Sequence, residues 1–236
     1  KGGLPETTDY ALVLKKLTSD EVYSQIEFLI KNNRKRKLLQ KKNYNGFKFT
    51  HEYITNLQDN IRYDVTRGAF GILSNGNIDI GWASTKNDSI FIWDKPINNR
   101  PGKPGNLDYA NAKFWDVIDA MHAGPILISD GKINITSEEE VFFNTPVDGV
   151  QPRSAIGYRV NGDIVIMVVD GRQVDSRGAY LKELAILMSQ FNCHEALNLD
   201  GGGSSALIVD GKLVNRPIGL NTQREVMSSI AILSEN

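Results

Sequence analysis

Two aspartates close apolar runs in this chain, and each is followed by a turn suited to holding an anion. The run ending in Asn198-Leu199-Asp200 passes into Gly201, Gly202, Gly203, Ser204 and Ser205, and a further apolar run follows directly. The earlier run 164–169, IVIMVV, ends in Asp170-Gly171-Arg172. A glycine turn with bare backbone N–H groups forms an anion-binding nest, and the two serine hydroxyls add donors. Arg153, Arg172 and Arg216 flank these segments, and a guanidinium grips phosphate through two parallel hydrogen bonds. The plainer readings are a glycine bulge that turns a tight corner and arginines that serve as surface ion-pair partners.

Several chemistries are excluded by what surrounds the glycines. A Walker loop needs Lys-Ser/Thr and then a helix, and a dinucleotide fingerprint needs spaced glycines opening a helix. Here ALIVDGKLV at 206–214 opens a hairpin instead. His51, His122 and His194 are scattered without ligand spacing, so no metal or other cofactor is expected, although Asp170 and Asp200 together offer oxygen ligands for a cation. There is no Gly-x-Ser-x-Gly elbow to support a serine triad. With 27 basic and 28 acidic residues the net charge is −1, which gives no reason to expect a nucleic-acid surface. The apolar runs are too short for a membrane span. Cys193 is the single cysteine, so no internal disulfide forms, and it reads as a packed apolar residue. The chain begins at Lys1 rather than Met, and its leader is expected to have been removed.

These residues need a scaffold that brings them together. Residues 1–60 read as a helical, peripheral segment: TSDE at 18–21 has capping-box spacing, apolar residues follow at helical spacing, and the basic run 31–42 suits a solvated helix face or linker. Residues 61–236 read as the main domain. Asn75-Gly76, Asp130-Gly131, Asn161-Gly162 and Asp210-Gly211 each sit between strand-like runs, where they favour hairpin turns. Helices are expected at 106–122, capped by Asp108, and at 176–191, with Leu181, Leu184, Ala185, Met188 and Phe191 as its apolar stripe. The segment 84–107 reads as a long loop around the short strand IFIW. Strand 164–169, the second helix and strand 196–199 form a βαβ pattern that predicts a right-handed crossover to a parallel neighbour. The expected fold is therefore α/β (α+β), a mixed sheet with hairpins, a crossover and helices packed on it. Asp170 and Asp200 would then emerge at the same sheet edge, beyond the carboxyl ends of the strands, where open α/β sheets place ligands.

The stretches PRSAIGYRVNGDIVIMVVDGR and LKELAILMSQFNCHEALNLDGGGSSALIVDGKLVNRP closely resemble the phosphodiester glycosidase family, with AGPILISDGK resembling its Gly-Gly-Pro strand. The resemblance covers roughly residues 120–232. It points to Arg153, Asp170, Gly171, Arg172, Asn198, Asp200, Gly201, Gly202, Gly203, Ser204, Ser205, Asn215, Arg216 and Pro217. It implies a hydrolase that cleaves the glycosidic bond of a sugar-1-phosphodiester of the N-acetylglucosamine type. The substrate is expected on an envelope or extracellular glycan, and the protein in the periplasm, at the cell surface or secreted. On that reading Asp170, Asp200 and Arg153 are the catalytic candidates, with the aspartates acting as base, nucleophile or sugar-hydroxyl anchor. The glycines, Ser204, Ser205, Arg172, Asn198, Asn215 and Arg216 hold substrate or phosphate. One departure stands out: the family's early Asn-Gly-Gly-Phe/Tyr-Phe segment is represented here by TRGAF at 66–70, with Arg67 and Ala69 in unexpected places. That departure keeps a non-catalytic glycan-binding module on the same fold as an alternative, beside a phosphodiesterase that cuts the P–O bond.

Overall fold

The computed structural model describes residues 10–14, 53–56, 60–218, 224–226 and 229–232. Fifteen strands and one α-helix are present among the described residues. The strands are β1 (Tyr10–Leu14), β2 (Tyr53–Asn56), β3 (Ile61–Asp64), β4 (Arg67–Leu73), β5 (Ile78–Lys86), β6 (Ser89–Trp93), β7 (Lys113–Phe114) and β8 (Val117–His122). They continue with β9 (Ile126–Ser129), β10 (Lys132–Ile133), β11 (Arg153–Tyr158), β12 (Ile164–Val169), β13 (Glu195–Asn198), β14 (Ile208–Val209) and β15 (Lys212–Leu213). The helix α1 spans Leu181–Gln190.

Two larger sheets carry the molecule. One has six strands in the order β1-β12-β11-β13-β9-β10, and the other has five in the order β7-β6-β5-β4-β8. Their facing sides share one core, in which Phe70, Ile72, Ile80 and Trp82 meet Ile126, Ile156, Ile164 and Leu197. The far face of the six-stranded sheet is covered by α1, whose Leu181, Leu184, Ala185, Leu187 and Met188 pack with Leu127, Val165, Met167 and Ala196. A strand covered on both faces has no use for polar alternation, which is why β12 reads IVIMVV. The far face of the five-stranded sheet holds a smaller cluster around Trp115, Ala69, Ala83 and Ile90.

The hairpins fall where the turn dipeptides predict them. Asp130-Gly131 and Asp210-Gly211 have positive φ at both residues, the geometry of a two-residue type I′ turn. At Asn75-Gly76 and Asn161-Gly162 only the glycine is positive, and the strands close through Leu73 N–H to Asn77 and Arg159 N–H to Asp163. That is the three-residue loop with a glycine bulge.

The topology differs from the expected crossover. Every strand pairing among the described residues is antiparallel, so the sheets they form are not mixed. β12 and β13 run in the same direction with α1 between them in sequence, but β11 lies between them in the sheet and pairs with both. The helix thus joins strands that are not neighbours, because the hairpin partner β11 already occupies the adjacent edge of β12. α1 also begins later than residue 176. Gly178 has φ +96°, outside the helical region, and Ala179 instead exchanges backbone hydrogen bonds with Gln151. The Glu183 carboxylate then accepts the Tyr180 N–H at 2.9 Å and starts the helix.

The helix expected over 106–122 is absent. Asp108 does cap a turn, accepting Ala110 N–H at 2.9 Å, but the turn is a single 3-10 turn at Tyr109–Asn111. β7 and β8 follow. The cause is tertiary: β8 pairs with β4, and Trp115 fills the space above Gly71, where an added Cβ would lie 2.6 Å from its ring. The Trp115 indole N–H reaches Asp79 at 2.8 Å. A helical course would forfeit this slot and the β4 pairing. The expected loop 84–107 is also shorter, because β5 continues to Lys86 and turns through Asn87-Asp88, both with positive φ, into β6. In the segment expected to be helical, residues 10–14 form β1 against β12 and residues 53–56 form β2 against β3. The capping box at 18–21, the apolar stripe after it and the basic run 31–42 lie outside the described residues.

The slot for Trp115 yields a first prediction. A methyl at Gly71 overpacks the ring and Val117 together, and Gly71→Ala is expected to lower stability by about 2 kcal/mol. Urea denaturation checks it, and an unchanged midpoint would show that the slot has room to spare.

Candidate active site

The end of β12, the end of β13 and the start of β11 lie at one edge of the six-stranded sheet. Asp170 and Asp200 therefore leave the sheet on the same side, as the sequence predicts, although through an intervening antiparallel strand. Beyond β13 the chain continues along β11, with Leu199 N–H donating to Ser154 and Gly202 N–H to Pro152.

The two aspartates stand in different surroundings. Asp170 is buried, and its carboxylate accepts the Asn215 side-chain amide at 2.7 Å and the Arg216 backbone N–H at 3.0 Å. Asn215 also donates to the Ser205 carbonyl at 2.7 Å and accepts Leu207 N–H at 2.8 Å. Asp170 thus fastens the 215–216 segment, and through it the chain that leaves the glycine turn. Asp200 is exposed, and its Oδ1 accepts the neighbouring Gly201 N–H at 2.9 Å. Asn198 is buried and donates to the Gly124 carbonyl at 2.8 Å, while its Oδ1 has no hydrogen-bond partner among the described residues. Ser205 Oγ is likewise buried and unpartnered among the described residues.

The glycine turn is tighter than a nest of bare amides. Gly202–Ser204 make a 3-10 turn. Of the five N–H groups from Gly201 to Ser205, four already have acceptors: Asp200 Oδ1 and the carbonyls of Pro152, Gly201 and Gly202. The antiparallel continuation along β11 and closure of the 3-10 turn consume them. Glycine is required for two reasons. A Cβ at Gly201 would lie 2.7 Å from the Pro152 carbonyl, and Gly202 has φ +62°.

The arginines separate as well. Arg153 is 2% exposed, donates through Nε to the Ala179 carbonyl and through Nη2 to those of Val147 and Gly149, and burial lowers its pKa to about 10. Arg216 is exposed and pairs with Asp175 at 2.9 Å. Arg172, with φ +56°, is exposed, donates to the Gln151 side-chain oxygen and lies against Gly202. Arg224, which no sequence pattern marked, lies against Gly203. Only folding brings it there.

At the opposite edge of the same sheet, Asp130, His194 and Glu195 place ligand-type atoms within 4.8 Å of one another. Asp130, in the turn between β9 and β10, is far from His194 in sequence and is brought to it by the pairing of β9 with β13. Glu195 is 7% exposed, and burial, with the negative Asp130 and Asp79 nearby, raises its pKa to about 7. His122 ends β8 opposite Ala69 and caps no helix, and His51 lies outside the described residues. Cys193 is buried and packs near Gly157, as an apolar residue would. In the TRGAF segment Arg67 stacks over Phe142, 4.0 Å from the ring centroid, and Ala69 is fully buried.

The profile of the phosphodiester glycosidase family matches residues 18–233, and the chain belongs to that family. Over 81 residues, 34% of this chain, it is 41% identical to an uncharacterized SPbeta prophage-derived protein, YomE, of Bacillus subtilis. Over 103 residues, 43% of this chain, it is 36% identical to the N-acetylglucosamine-1-phosphodiester alpha-N-acetylglucosaminidase of Bos taurus. The matches span 12% and 19% of these two relatives' lengths. Among solved structures, the zebrafish enzyme's catalytic domain, auto-inhibited by pro-peptide, aligns with a TM-score of 0.46 at 26% identity, covering 65% of this chain and 46% of that one.

Two predictions follow from these surroundings. Asp170→Ala strips the acceptor from the buried Asn215 amide and the Arg216 N–H, at a cost of about 2 kcal/mol in urea denaturation. Asn215→Ala in the same background should then add less than it does alone, and full additivity would show that the two do not act as a unit. Glu195 concerns pH. A carboxyl whose folded pKa is raised to about 7 binds its proton more tightly folded than unfolded, so its contribution is present below the unfolded value and lost as pH rises through 7. Stability is expected to fall by about 1–2 kcal/mol between pH 5 and 8, with solvent screening at this sheet edge included. Glu195→Gln should flatten that slope, and an unaltered profile would assign the fall to another group.

Proposed function

We propose that this protein hydrolyses the glycosidic bond of a sugar-1-phosphodiester of the N-acetylglucosamine type. The observation that carries the reading is the juxtaposition at one sheet edge of an exposed carboxylate, Asp200, with a glycine turn overlain by the Arg172 guanidinium, in a chain of the phosphodiester glycosidase family. Water attacks the anomeric carbon, the bond from that carbon to the phosphate oxygen breaks, and a free sugar and a phosphomonoester result. The departing phosphate is a good leaving group, so the demand on a general acid is small. The need is for stabilisation of the oxocarbenium-like sugar and of the charge that leaves. Arg172 and the Ser204 hydroxyl are suited to the phosphate. Asp200 is suited to the sugar side as base, nucleophile or hydroxyl anchor. Asp170 and Asn198, both buried, act as positioning residues, Asp170 through Asn215 and Asn198 through the Gly124 carbonyl. Arg153 acts likewise, by holding three backbone carbonyls around the start of β11. Arg216 is held by Asp175 at the rim. The natural substrate on this reading is an envelope or extracellular glycan, a placement supported by family analogy.

The test is hydrolysis of an N-acetylglucosamine-1-phosphodiester in 18O water. Label is expected in the sugar. Label in the phosphate would make the protein a P–O-cleaving phosphodiesterase, and binding without turnover would make it a glycan-binding module. Asp200→Asn is expected to lower kcat by about 100-fold or more, within the range for removal of one acid–base group. Full activity in that variant would remove Asp200 from the chemistry.

A further inference from the structure

We infer that Arg224 is a second phosphate-holding cation of the site, paired with Arg172 across the glycine turn. The inference rests on the reading of this edge as a phosphodiester site. A Cβ built on Gly202 would lie 3.4 Å from Arg172 Nη2 and 3.7 Å from its Cζ. One built on Gly203 would lie 3.0 Å from Arg224 Cδ and 3.8 Å from its Nη1. Two arginine side chains therefore lie against successive residues of one turn, and the missing side chains are what lets them approach. Alanine at Gly203 would push Arg224 away.

The charges sharpen the point. Arg216, Arg177, Arg159 and Arg100 each have a carboxylate partner. Arg172 leans on a neutral amide oxygen of Gln151, and neither it nor Arg224 has an ion pair among the described residues. Like charges gathered on one small turn repel each other unless an anion lies between them. Ser205 Oγ, buried at the end of the same turn, has no hydrogen-bond partner among the described residues and is left with a proton to donate. A phosphate group answers all three features: it takes a bidentate guanidinium, bridges two cations and accepts a hydroxyl. Arg153 and Arg216, the other cations flanking these strands in sequence, are engaged elsewhere, by backbone carbonyls and by Asp175. Arg224 supplies the second charge that they do not.

The experiment has two arms. Calorimetric titration with inorganic phosphate compares the wild-type protein with Arg224→Gln and Arg224→Lys. Kinetics compare an N-acetylglucosamine-1-phosphodiester with an uncharged aryl glycoside of the same sugar. Arg224→Gln is expected to weaken phosphate binding about tenfold and to lower kcat/KM about tenfold on the phosphodiester alone, the loss that one charge-assisted contact represents, with partial recovery in Arg224→Lys. No phosphate binding by the wild-type protein, equal phosphate affinity in wild type and Arg224→Gln, or equal losses on charged and uncharged substrates would overturn the assignment. If the wild-type protein cleaves neither substrate, the hydrolase reading fails, and the phosphate titration still decides the role of Arg224.

Discussion

A carboxylate with no exposure to solvent holds the two sheets together. Glu140 accepts Gly68 N–H of β4 at 2.7 Å and Ile126 N–H of β9 at 2.9 Å, one from each sheet. It also accepts the Thr136 hydroxyl at 2.6 Å, and that hydroxyl in turn receives the Trp82 indole N–H of β5. Taking a carboxylate out of water is costly, and burial accordingly raises its pKa despite these donors and the nearby Arg67. The charge is tolerated because each donor is itself a buried group in need of an acceptor. Glycine at position 68 is part of the same constraint: a side chain there would meet Leu197, Ile126 and the Glu140 carboxylate. The sheets thus meet in one register, with Leu197 of β13 in the shared core and Asn198 next to it bonded to Gly124.

From that fixed strand the site is built outward by a second buried carboxylate. Asp170 closes the gap between the end of β12 and the chain that returns past β15, and Asn215 relays the tie to Ser205 and Leu207. A pair of aspartates that look equivalent in sequence therefore divides into one that is enclosed and one that faces solvent. The division follows from hydrogen-bond supply. The donors that meet Asp170 come from residues forty-five and forty-six positions away, whereas among the described residues Asp200 meets only the amide of the next residue. The same supply decides the arginines. The carbonyls of Val147, Gly149 and Ala179 enclose Arg153, a carboxylate takes Arg216, and Arg172 and Arg224 are left beside the glycine turn.

The parts of the fold legible in sequence are those set by local backbone preference. Asp-Gly and Asn-Gly mark hairpins because glycine, and to a lesser degree Asp and Asn, accept positive φ, and the four marked turns are where the chain reverses. The helix at 181–190 is legible because its stripe of leucines has helical period and nothing competes with it. The segment 106–122 misleads because Ala112, Trp115 and Ile118 have helical spacing while their partners lie elsewhere in the chain: Trp115 belongs to Gly71, and Val117 to Leu73. Glu140 misleads in the opposite way, since an acid in a run of three glutamates reads as a solvated surface.

By itself the sequence determined the turns, the doubly covered strand IVIMVV, the apolar helix and the aspartate-tipped glycine run that marks the family. Each is a short-range property, fixed by φ preference, hydrophobic period or adjacency. Only the tertiary structure decided that β11 separates β12 from β13, that Asp170 is enclosed while Asp200 is open, that four of the five amides from Gly201 to Ser205 already have acceptors, and that Arg224 comes to lie on Gly203. These outcomes depend on which distant group supplies each donor, acceptor or empty volume, and that pairing exists only once the sheets have closed on one another.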